Sequence, residues 1–519
     1  MVSGTFLQSL TLYKVYVLTL TFLVYLLNQL DRYLLPIMTQ PMAQDIHYGD
    51  KGCLNDVDYF NDSITATKLC TSINSEQKCN DQNYFGGNQS VCMWDYTGQG
   101  LAYQIIAGPV FIIIYTVCGV FIGYLTAIFK KKNLLGFFLL LWSAFTALSG
   151  ASTEYWQLAL TRFGLGIGEA GCTPFASVII ADMFVPELRA MAMAIYSSGI
   201  YFGYSLAYAF GNFLYAADIM GQGWRWVFYI SGLLGLPVAV LLFCTVRESR
   251  GMAEQYDYDE GNTTLTDSDQ SEELIKPNEK TSLIPAKTEQ PASDMKWDDK
   301  LKDVIITFLS PPLLMLCLAG SIRNAGGYVW AVNTELFFES EGHSSTEIGS
   351  YMSWIPLVGG SLGALLGGFI SDRVVRQGGL AARLAVLAVS QVCAAPFGLL
   401  ALFLPSPGCY LILILMYIIG ESSTGVCLTC VLELVPERIR GAAIGYCLFI
   451  VGNVSGNAPL LLSPLASAFA KFDPSTAFRN ALIVLFPGMY ITSAAIFLLT
   501  ICVHNSWTKQ AARRKLQTG

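Results

Sequence analysis

The segment Arg162–Ala170, RFGLGIGEA, decides the fold, because it places an arginine, three glycines and a glutamate inside an otherwise apolar stretch. Arg162 and Glu169 are seven residues apart, so a helix would put both on one face, roughly 10 Å apart along its axis. Small residues between them allow close helix packing and leave room for a cavity. The sequence therefore indicates a packed apolar helix with two buried charges.

This segment has a counterpart in the second half of the chain. Gly168-Glu169-Ala170 precedes VPELR at Val185–Arg189, and Gly420-Glu421-Ser422 precedes VPERIR at Val435–Arg440. The two spacings differ by two residues, so the alignment needs a small gap. An internal repeat of this kind predicts two related halves.

The composition places both halves in a membrane. The 519 residues are 53% hydrophobic and 13% charged, whereas a soluble protein carries about 25% charged residues. Apolar runs of about 18 residues or more are typical of spanning helices. We predict an all-α membrane protein of twelve transmembrane helices in two pseudo-symmetric six-helix bundles, with helices at 14–44, 101–127, 134–152, 156–182, 190–216, 225–246, 311–338, 347–371, 382–404, 409–434, 440–468 and 480–503.

The distribution of basic residues predicts the orientation, because short cytosolic loops collect Lys and Arg. One side of the predicted bundle holds Lys130, Lys131, Lys132, Arg189, Arg247, Arg250, Arg373, Arg376, Arg438, Arg440, Arg513, Arg514 and Lys515. This places both termini in the cytosol. It divides the chain into an N-terminal bundle at 1–246, a cytosolic linker at 247–303 and a C-terminal bundle with a short tail at 304–519.

The segment 45–100 then lies on the extracellular or lumenal side. It contains four cysteines and two glycosylation sequons, both of which are used in oxidising, secretory compartments. We expect disulfides among these cysteines, for which three pairings are open, and glycosylation of the two asparagines. The residues are Cys53, Cys70, Cys79, Cys92, Asn61 and Asn88.

The linker is too polar to form a core of its own. It contains Glu279, followed four and five positions later by Leu283 and Ile284. This spacing resembles an acidic dileucine sorting signal, which implies endosomal or lysosomal delivery through sorting adaptors. Such short patterns also arise by chance in polar segments.

The chain resembles the major facilitator superfamily and, within it, the Spinster-like lysolipid transporters. The resemblance rests on Arg162–Ala170, on Ala181–Arg189 and on NQLDRY at Asn28–Tyr33 in the first helix. It implies the major facilitator fold, with a substrate site between the two halves near mid-membrane that opens alternately to each side.

The superfamily's cytosolic loop motif is present in GFISDRVVR at Gly368–Arg376. The resemblance implies that this segment closes the cytosolic side by pairing with residues at helix ends. In the first half, Ala127 and Ile128 replace the Asp-Arg pair of the motif, so that latch cannot form in its usual way. The residues expected to act in gating are Asp182, Arg189, Gly368, Asp372, Arg373 and Arg376.

Charges inside the apolar helices are the candidates for the site, because a charge at mid-bilayer costs about 2.5–3.5 kcal/mol. We expect Asp31 and Glu169 to act in proton coupling. The expected substrate-binding residues are Arg162, Arg323, Glu421 and Tyr328.

Two alternatives make some of these charges structural. Arg162 and Glu169 would pair with each other or with Asp31, or Arg323 would pair with Glu421 or extend to an interface. The adjacent Gly326 and Gly327 also predict a weak point in the seventh helix that would suit a gate.

The sequence predicts neither an enzyme nor a nucleic-acid-binding protein. No phosphate-binding loop, basic stripe or metal-ligand spacing is present, and no cofactor is expected. We predict a secondary active transporter for an amphipathic or anionic organic solute, such as a lysophospholipid or a sphingoid phosphate, linked to protons. The alternatives are a small organic-acid carrier and a non-transporting receptor. The location is the plasma membrane or the lysosomal or endosomal membrane.

Overall fold

The computed structural model describes residues 12–54, 75–85, 93–125, 130–184, 186–247, 308–435, 440–471 and 476–518. The N-terminal half contains β1 (Lys51–Leu54) and β2 (Met93–Tyr96), with α1 (Leu12–Ile46), α2 (Glu76–Phe85), α3 (Leu101–Ala107), α4 (Pro109–Leu125), α5 (Lys131–Gly150), α6 (Tyr155–Glu169), α7 (Cys172–Met183), α8 (Pro186–Ala216) and α9 (Trp224–Thr245). A short 3-10 turn at Ile219–Gly221 precedes α9.

The C-terminal half repeats this order of long helices. It contains α10 (Pro311–Ser340), α11 (Ser345–Met352), α12 (Ile355–Ala401), α13 (Gly408–Glu421), α14 (Ser423–Leu434), α15 (Arg440–Asn457), α16 (Leu462–Ala470), α17 (Ala477–Leu485) and α18 (Pro487–Thr518), with a 3-10 turn at Ala458–Leu461. Prolines begin α4, α8, α10 and α18, because the first helical position needs no backbone donor.

Ten helical stretches of the described chain are long and apolar enough to cross a membrane. The helices α8 and α10, of 31 and 30 residues, are long enough but fall outside this set. Both carry polar residues along their length, among them Asn212 on α8 and Arg323 on α10. The chain is thus a multi-pass membrane protein, and the number twelve stays a prediction.

The predicted bounds of the fourth, eighth, ninth and tenth helices agree with the observed spans within about four residues, but three local features were not predicted. The fourth and tenth helices are each interrupted just after the glutamate of the repeat, between α6 and α7 and between α13 and α14. The expected loop between the eighth and ninth helices is reduced to Gly379, whose φ of 60° reverses the chain inside α12. A left-handed φ is open to glycine without strain, so one residue makes this turn.

The expected weak point in the seventh helix is absent, because α10 runs unbroken through Gly326 and Gly327. A Cβ on Gly326 would lie 3.1 Å from the Phe486 carbonyl oxygen and 3.2 Å from Met489. The glycine therefore lets the C-terminal helices approach α10 closely instead of breaking it.

We call the end of the bundle that carries β1 and β2 the loop end, and the opposite end, where α9 ends and α10 begins, the linker end. At the loop end, β1 and β2 pair antiparallel, with Lys51 opposite Tyr96. Gly100 has a φ of 100°, and a Cβ there would lie 2.6 Å from the Asp50 carboxyl carbon. Burial raises the pKa of this Asp50 carboxyl.

The cysteines and sequons of the segment 45–100 are described only in part. Cys53 and Cys79 each form a disulfide bond, and Cys79 is buried against Trp94. The other expected positions in this segment and in the linker, namely Cys70, Cys92, Asn61, Asn88, Glu279, Leu283 and Ile284, lie outside the described residues.

The hydrophobic core differs between the two ends. At the loop end, one cluster joins the halves, with Leu34 and Tyr103 of the first half and Trp330 and Phe486 of the second. At the linker end, each half has its own cluster, around Trp142 in the first and Leu384 in the second. The halves are thus packed together at the loop end and form separate cores at the linker end.

Candidate functional site

An ion pair joins α1 to the end of α6 near the middle of the N-terminal half. The Arg32 Nη2 atom lies 2.7 Å from the Glu169 Oε2 atom, and Arg32 Nε also donates to it at 2.9 Å. Glu169 is fully buried, and its Oε1 atom accepts no hydrogen bond. The Arg32 guanidinium lies 4.7 Å from the Tyr115 ring, so its charge is held between a carboxylate and an aromatic face.

The C-terminal half contains the matching pair. On α10, Arg323 Nη2 lies 2.8 Å from Glu421 Oε1 at the end of α13, and it also donates to the Gly420 carbonyl oxygen at 2.7 Å. Tyr201, on α8 of the other half, donates to Glu421 Oε2 at 3.2 Å. The repeat seen in the sequence thus appears as two equivalent ion pairs, and of the alternatives for Arg323 the structure shows the pair with Glu421.

Arg162 differs from both of these arginines. Its side chain is 2% exposed, and within the described part of the chain it forms no ion pair or hydrogen bond, with Nε buried and unsatisfied. Its guanidinium carbon lies 5.9 Å from the centre of the Phe228 ring. The predicted pairing of Arg162 with Glu169 or Asp31 is not the arrangement found, because Glu169 pairs with Arg32. Glu169 and Asp31 act on Arg162 electrostatically without touching it, so its guanidinium has no directly bound anion in the part of the chain that the structure describes, and burying such a group is costly.

Arg162 and Arg32 line one cavity between the halves. On the other side of it, Tyr328 of α10 donates its hydroxyl to the Ala107 carbonyl oxygen at 2.9 Å. The space open to a water centre is about 10 Å³, enough for roughly one water molecule. The cavity is therefore contracted in this conformation. Its lining residues are Arg32, Tyr33, Leu35, Pro36, Ile106, Ala107, Phe111, Arg162, Tyr328 and Val332.

Asp31 is not among the cavity residues. It is 1% exposed, accepts a short hydrogen bond from Ser231 on α9 and faces Thr146 on α5. Successive residues of a helix point about 100° apart, so α1 directs Arg32 to the cavity and Asp31 into the interior of its own half. Asp31 and Glu169 interact electrostatically through this interior.

The predicted gating residues lie at the linker end. Lys131 Nζ of α5 pairs with Asp182 Oδ2 of α7 at 2.6 Å. Arg373 is exposed, and a Cβ on Gly368 would meet nothing within 4 Å. The side chains of Arg189, Asp372 and Arg376 lie outside the described residues, although their backbones are helical.

A matching pair in the other half was not predicted. Arg383 Nε of α12 lies 3.0 Å from Glu433 Oε1 at the end of α14, and Arg383 Nη1 donates to Ser371 Oγ at 3.0 Å. Each half thus joins the start of its third helix to the end of its fourth by a basic–acidic pair. Each pair lies within a single half, so neither pair joins the two halves.

Sequence reasoning also missed Arg32 as a site residue. The signal was the repeat itself. Glu421 has Arg323 on the seventh helix as its partner, and the equivalent first helix of the other half carries Arg32, which is partly buried. Its neighbour Asp31 drew attention instead, because acids in spans are rare.

Comparison with known proteins agrees with this architecture. The sequence model of the Major Facilitator Superfamily matches residues 21–459. The chain belongs to the Major Facilitator Superfamily. As a member of this superfamily it is a membrane transport protein rather than an enzyme, and the predicted fold class is confirmed.

Relatives within the superfamily support the Spinster-like branch. The chain is 34% identical over 149 residues to the sphingosine-1-phosphate transporter SPNS2 of Danio rerio, a match covering 28% of this chain and 29% of the relative. It is 34% identical over 150 residues to human protein spinster homolog 1, covering 28% of each. These matches span less than a third of the relatives' length.

A longer match is to an MFS-type efflux pump of Mycolicibacterium smegmatis, 26% identical over 402 residues and covering 77% of this chain and 83% of the pump. Among solved structures, a bacterial homologue of the human lysosomal transporter Spinster, described as inward-facing and unoccupied, is 21% identical with a TM-score of 0.67, covering 95% of this chain and 98% of its own. A D-xylose–proton symporter is 13% identical with a TM-score of 0.59, covering 93% and 97%.

Proposed function

We propose that this chain is a secondary active transporter that carries a single-chain lipid with an anionic head group, of the lysophospholipid or sphingoid phosphate class. The observation that carries the proposal is Arg162, a buried guanidinium at the cavity wall that contacts no carboxylate among the described residues. A phosphate oxyanion fits the planar fork of arginine by paired hydrogen bonds. The names of the SPNS2 relatives agree with this substrate class.

The other two central arginines are already neutralised. Arg32 and Arg323 each contact a carboxylate within hydrogen-bond distance. To bind an anion, Arg32 or Arg323 would have to release the carboxylate that it now contacts, whereas Arg162 has, in the described chain, no directly bound carboxylate to release. We therefore assign Arg162 to the head group, and the two ion pairs to the link between binding and movement.

The arrangement of the cores supports alternating access. The halves share one core at the loop end and have separate cores at the linker end. The described hydrogen bonds between the halves lie from the middle to the loop end, from Tyr201–Glu421 to Gln104–Asn333. The conformation is therefore closed at the loop end, and substrate would enter the central cavity from the linker end.

Protons are the proposed driving ion. Glu169 has one oxygen paired with Arg32 and one without a partner. A proton on that free oxygen would weaken the attraction to Arg32 and so loosen α1 from α6. Asp31 lies in the same interior and would pass on or hold the proton.

We propose that the linker end faces the cytosol, so that both termini are cytosolic, and that the protein resides in the plasma membrane or in lysosomal or endosomal membranes. The exposed Lys130 and Arg373 lie at the linker end, as the rule for cytosolic loops requires. The oxidised Cys53 and Cys79 lie at the loop end, as an extracellular or lumenal side requires.

Uptake into proteoliposomes tests the function. We expect a radiolabelled lysophospholipid or sphingoid phosphate to accumulate when a pH gradient is imposed, and a short organic acid not to compete. Asp31→Asn should abolish accumulation driven by the gradient while leaving exchange of labelled for unlabelled lipid.

Two results would replace the proposal. Competition by the organic acid alone would indicate an organic-acid carrier. Saturable binding of the lipid without flux in any gradient, unaffected by Asp31→Asn, would indicate a receptor.

A further inference from the structure

A second group of buried polar residues lies between the halves, away from the central cavity and towards the loop end. Glu335 of α10 is 1% exposed, and neither of its carboxylate oxygens accepts a hydrogen bond. Asn212 of α8, in the other half, is 0% exposed, and neither its amide nitrogen nor its oxygen is paired. The site described above does not use either side chain.

These two side chains face each other across the interface. Asn212 is close enough to act on Glu335 as a hydrogen-bond donor, but the pair does not reach good hydrogen-bond geometry. The backbone of Gly349 on α11 packs closely against Asn212. A Cβ on Gly349 would lie only 2.8 Å from the Asn212 Cβ. Asn212 is thus enclosed by residues of the C-terminal half when the loop end is closed.

Nothing in the described surroundings neutralises a charge on Glu335. The titratable groups that face it are Glu339 on its own helix, Tyr204 and Tyr208 on α8 and Tyr410 on α13. Among the described residues, no Lys, Arg or His lies close enough to act on it. A second carboxylate and three phenols add no positive charge, so an ionised Glu335 would be repelled and would remain without a counter-ion.

A protonated Glu335 removes this conflict. A carboxylic acid donates one hydrogen bond and accepts another, which matches the carboxamide of Asn212 atom for atom. A carboxylate can only accept, so it leaves the Asn212 oxygen facing another oxygen. We propose that Glu335 is a second proton-binding site of this protein, and that the loop end closes only when Glu335 is protonated and faces Asn212.

This site differs from the proposed coupling site in place and in effect. Glu335 and Asn212 lie on opposite halves, so a proton there acts directly on the contact between the halves. Glu169 and Asp31 both belong to the N-terminal half. Loss of the Glu335 proton would favour opening towards the loop end whether or not a substrate is bound.

The position of the loop end can be measured without a substrate, so the result is separate from the transport assay. Spin labels are attached through a noncanonical amino acid at Met220 and Phe403, which are 81% and 57% exposed at the loop end of the two halves. Pulsed electron paramagnetic resonance on the full chain in nanodiscs then gives the distance distribution in acidic and in alkaline buffer. We expect the short, closed distance to dominate in acid and a longer one to appear in alkali.

Glu335→Gln should keep the short distance in both buffers, because the amide stays neutral and still donates one hydrogen bond. Asn212→Asp should lengthen the distance in alkali beyond the wild type, because it adds a second carboxylate to the contact. Glu347→Gln, at the same end but paired with His343, is the matched control and should retain the wild-type pH response.

Three results would overturn the proposal. They are a wild-type distribution that does not change with pH, a Glu335→Gln protein with the full wild-type response, and an Asn212→Asp protein indistinguishable from wild type. The last variant keeps the test valid if Glu335→Gln fails to fold.

Discussion

Arg162 differs from Arg32 and Arg323 in that it contacts no carboxylate of the described chain. Arg32 and Arg323 hold carboxylates, and the Arg162 guanidinium lies beside an aromatic ring at the wall of a cavity. Keeping an unpaired charge in a membrane span costs about 2.5–3.5 kcal/mol. A bound anion would recover much of this free energy, which makes the affinity for an anionic head group sensitive to this one side chain.

Arg162→Gln is therefore expected to weaken binding of a phosphate-bearing lysolipid. Losing charge-assisted hydrogen bonds costs about 1.5–3 kcal/mol, which corresponds to roughly 10- to 150-fold in the dissociation constant. The dissociation constant of Arg162→Lys should lie between those of wild type and Arg162→Gln, because lysine keeps the charge but not the paired hydrogen bonds. Binding is measured by displacement of a radiolabelled lipid from purified protein.

Two controls accompany this measurement. Arg373→Gln removes an exposed arginine at the linker end and should leave the dissociation constant unchanged. A sphingoid base without phosphate should bind wild type and Arg162→Gln alike. Equal affinity of wild type and Arg162→Gln for the phosphate-bearing lipid would show that the head group binds elsewhere.

Ion pairs join neighbouring helices, and the solvent exposure of each ion pair determines how much it contributes to the free energy of unfolding. The Arg32–Glu169 pair joins α1 to α6, with exposed side-chain fractions of 15% and 0%. The Lys131–Asp182 pair joins α5 to α7, with 23% and 19%. Removing one partner of a buried pair costs about 3–5 kcal/mol, a fully exposed pair contributes about 0–1 kcal/mol, and the half-buried Lys131–Asp182 pair lies between these limits.

Glu169→Gln should therefore lower the thermal unfolding temperature in detergent by clearly more than Asp182→Asn, the matched acid-to-amide change. Combining Glu169→Leu with Arg32→Met should recover part of the loss, because it removes the uncompensated charge together with its partner. Intrinsic fluorescence during heating provides the measurement. Equal shifts for the two amide variants would mean that the Arg32–Glu169 pair is solvated rather than buried.

The sequence predicted the membrane helices well but not their interruptions. The length of an apolar run and the basic residues of a loop are local properties of the sequence. A membrane helix can therefore be predicted from its own segment without knowledge of the rest of the chain. The break after Glu169 and the continuity of α10 through Gly326 depend on neighbouring helices, which are distant in sequence. In the site, Arg162, Glu169, Arg323 and Glu421 could be identified from burial cost alone.

Which arginine pairs with which glutamate could not be identified in this way, because it depends on helix rotation. If α1 were rotated about its axis by about 100°, the angle between successive residues, Asp31 would face the cavity in place of Arg32. The repeat could have settled the choice, since the two halves use equivalent pairs.

Apolar contacts between the two halves are concentrated at the loop end, and they hold the whole molecule in one conformation. A single core spans both halves at the loop end, and two separate cores lie at the linker end. Transport by alternating access requires the shared core to separate and the linker ends to approach. The ion pairs at the linker end, Lys131–Asp182 and Arg383–Glu433, lie within single halves, so they hold each half rigid without holding the two together.

Locking the loop end should therefore stop transport without stopping binding from the linker end. Asn212 and Gly349 face each other across the closed contact. The Asn212 Cβ lies 2.8 Å from the position that a Cβ on Gly349 would take, so the two backbones must move apart by roughly 1 Å to reach the distance of about 3.5–4.5 Å in a disulfide. After oxidation, the Asn212→Cys, Gly349→Cys protein should bind the lipid but not transport it in proteoliposomes, and a mild reductant should restore flux. Each single cysteine variant should show the same flux before and after oxidation, whatever its starting rate. Full transport by the cross-linked protein would mean that the two halves do not need to separate at the loop end, and alternating access would have to be replaced by a path that leaves this contact closed.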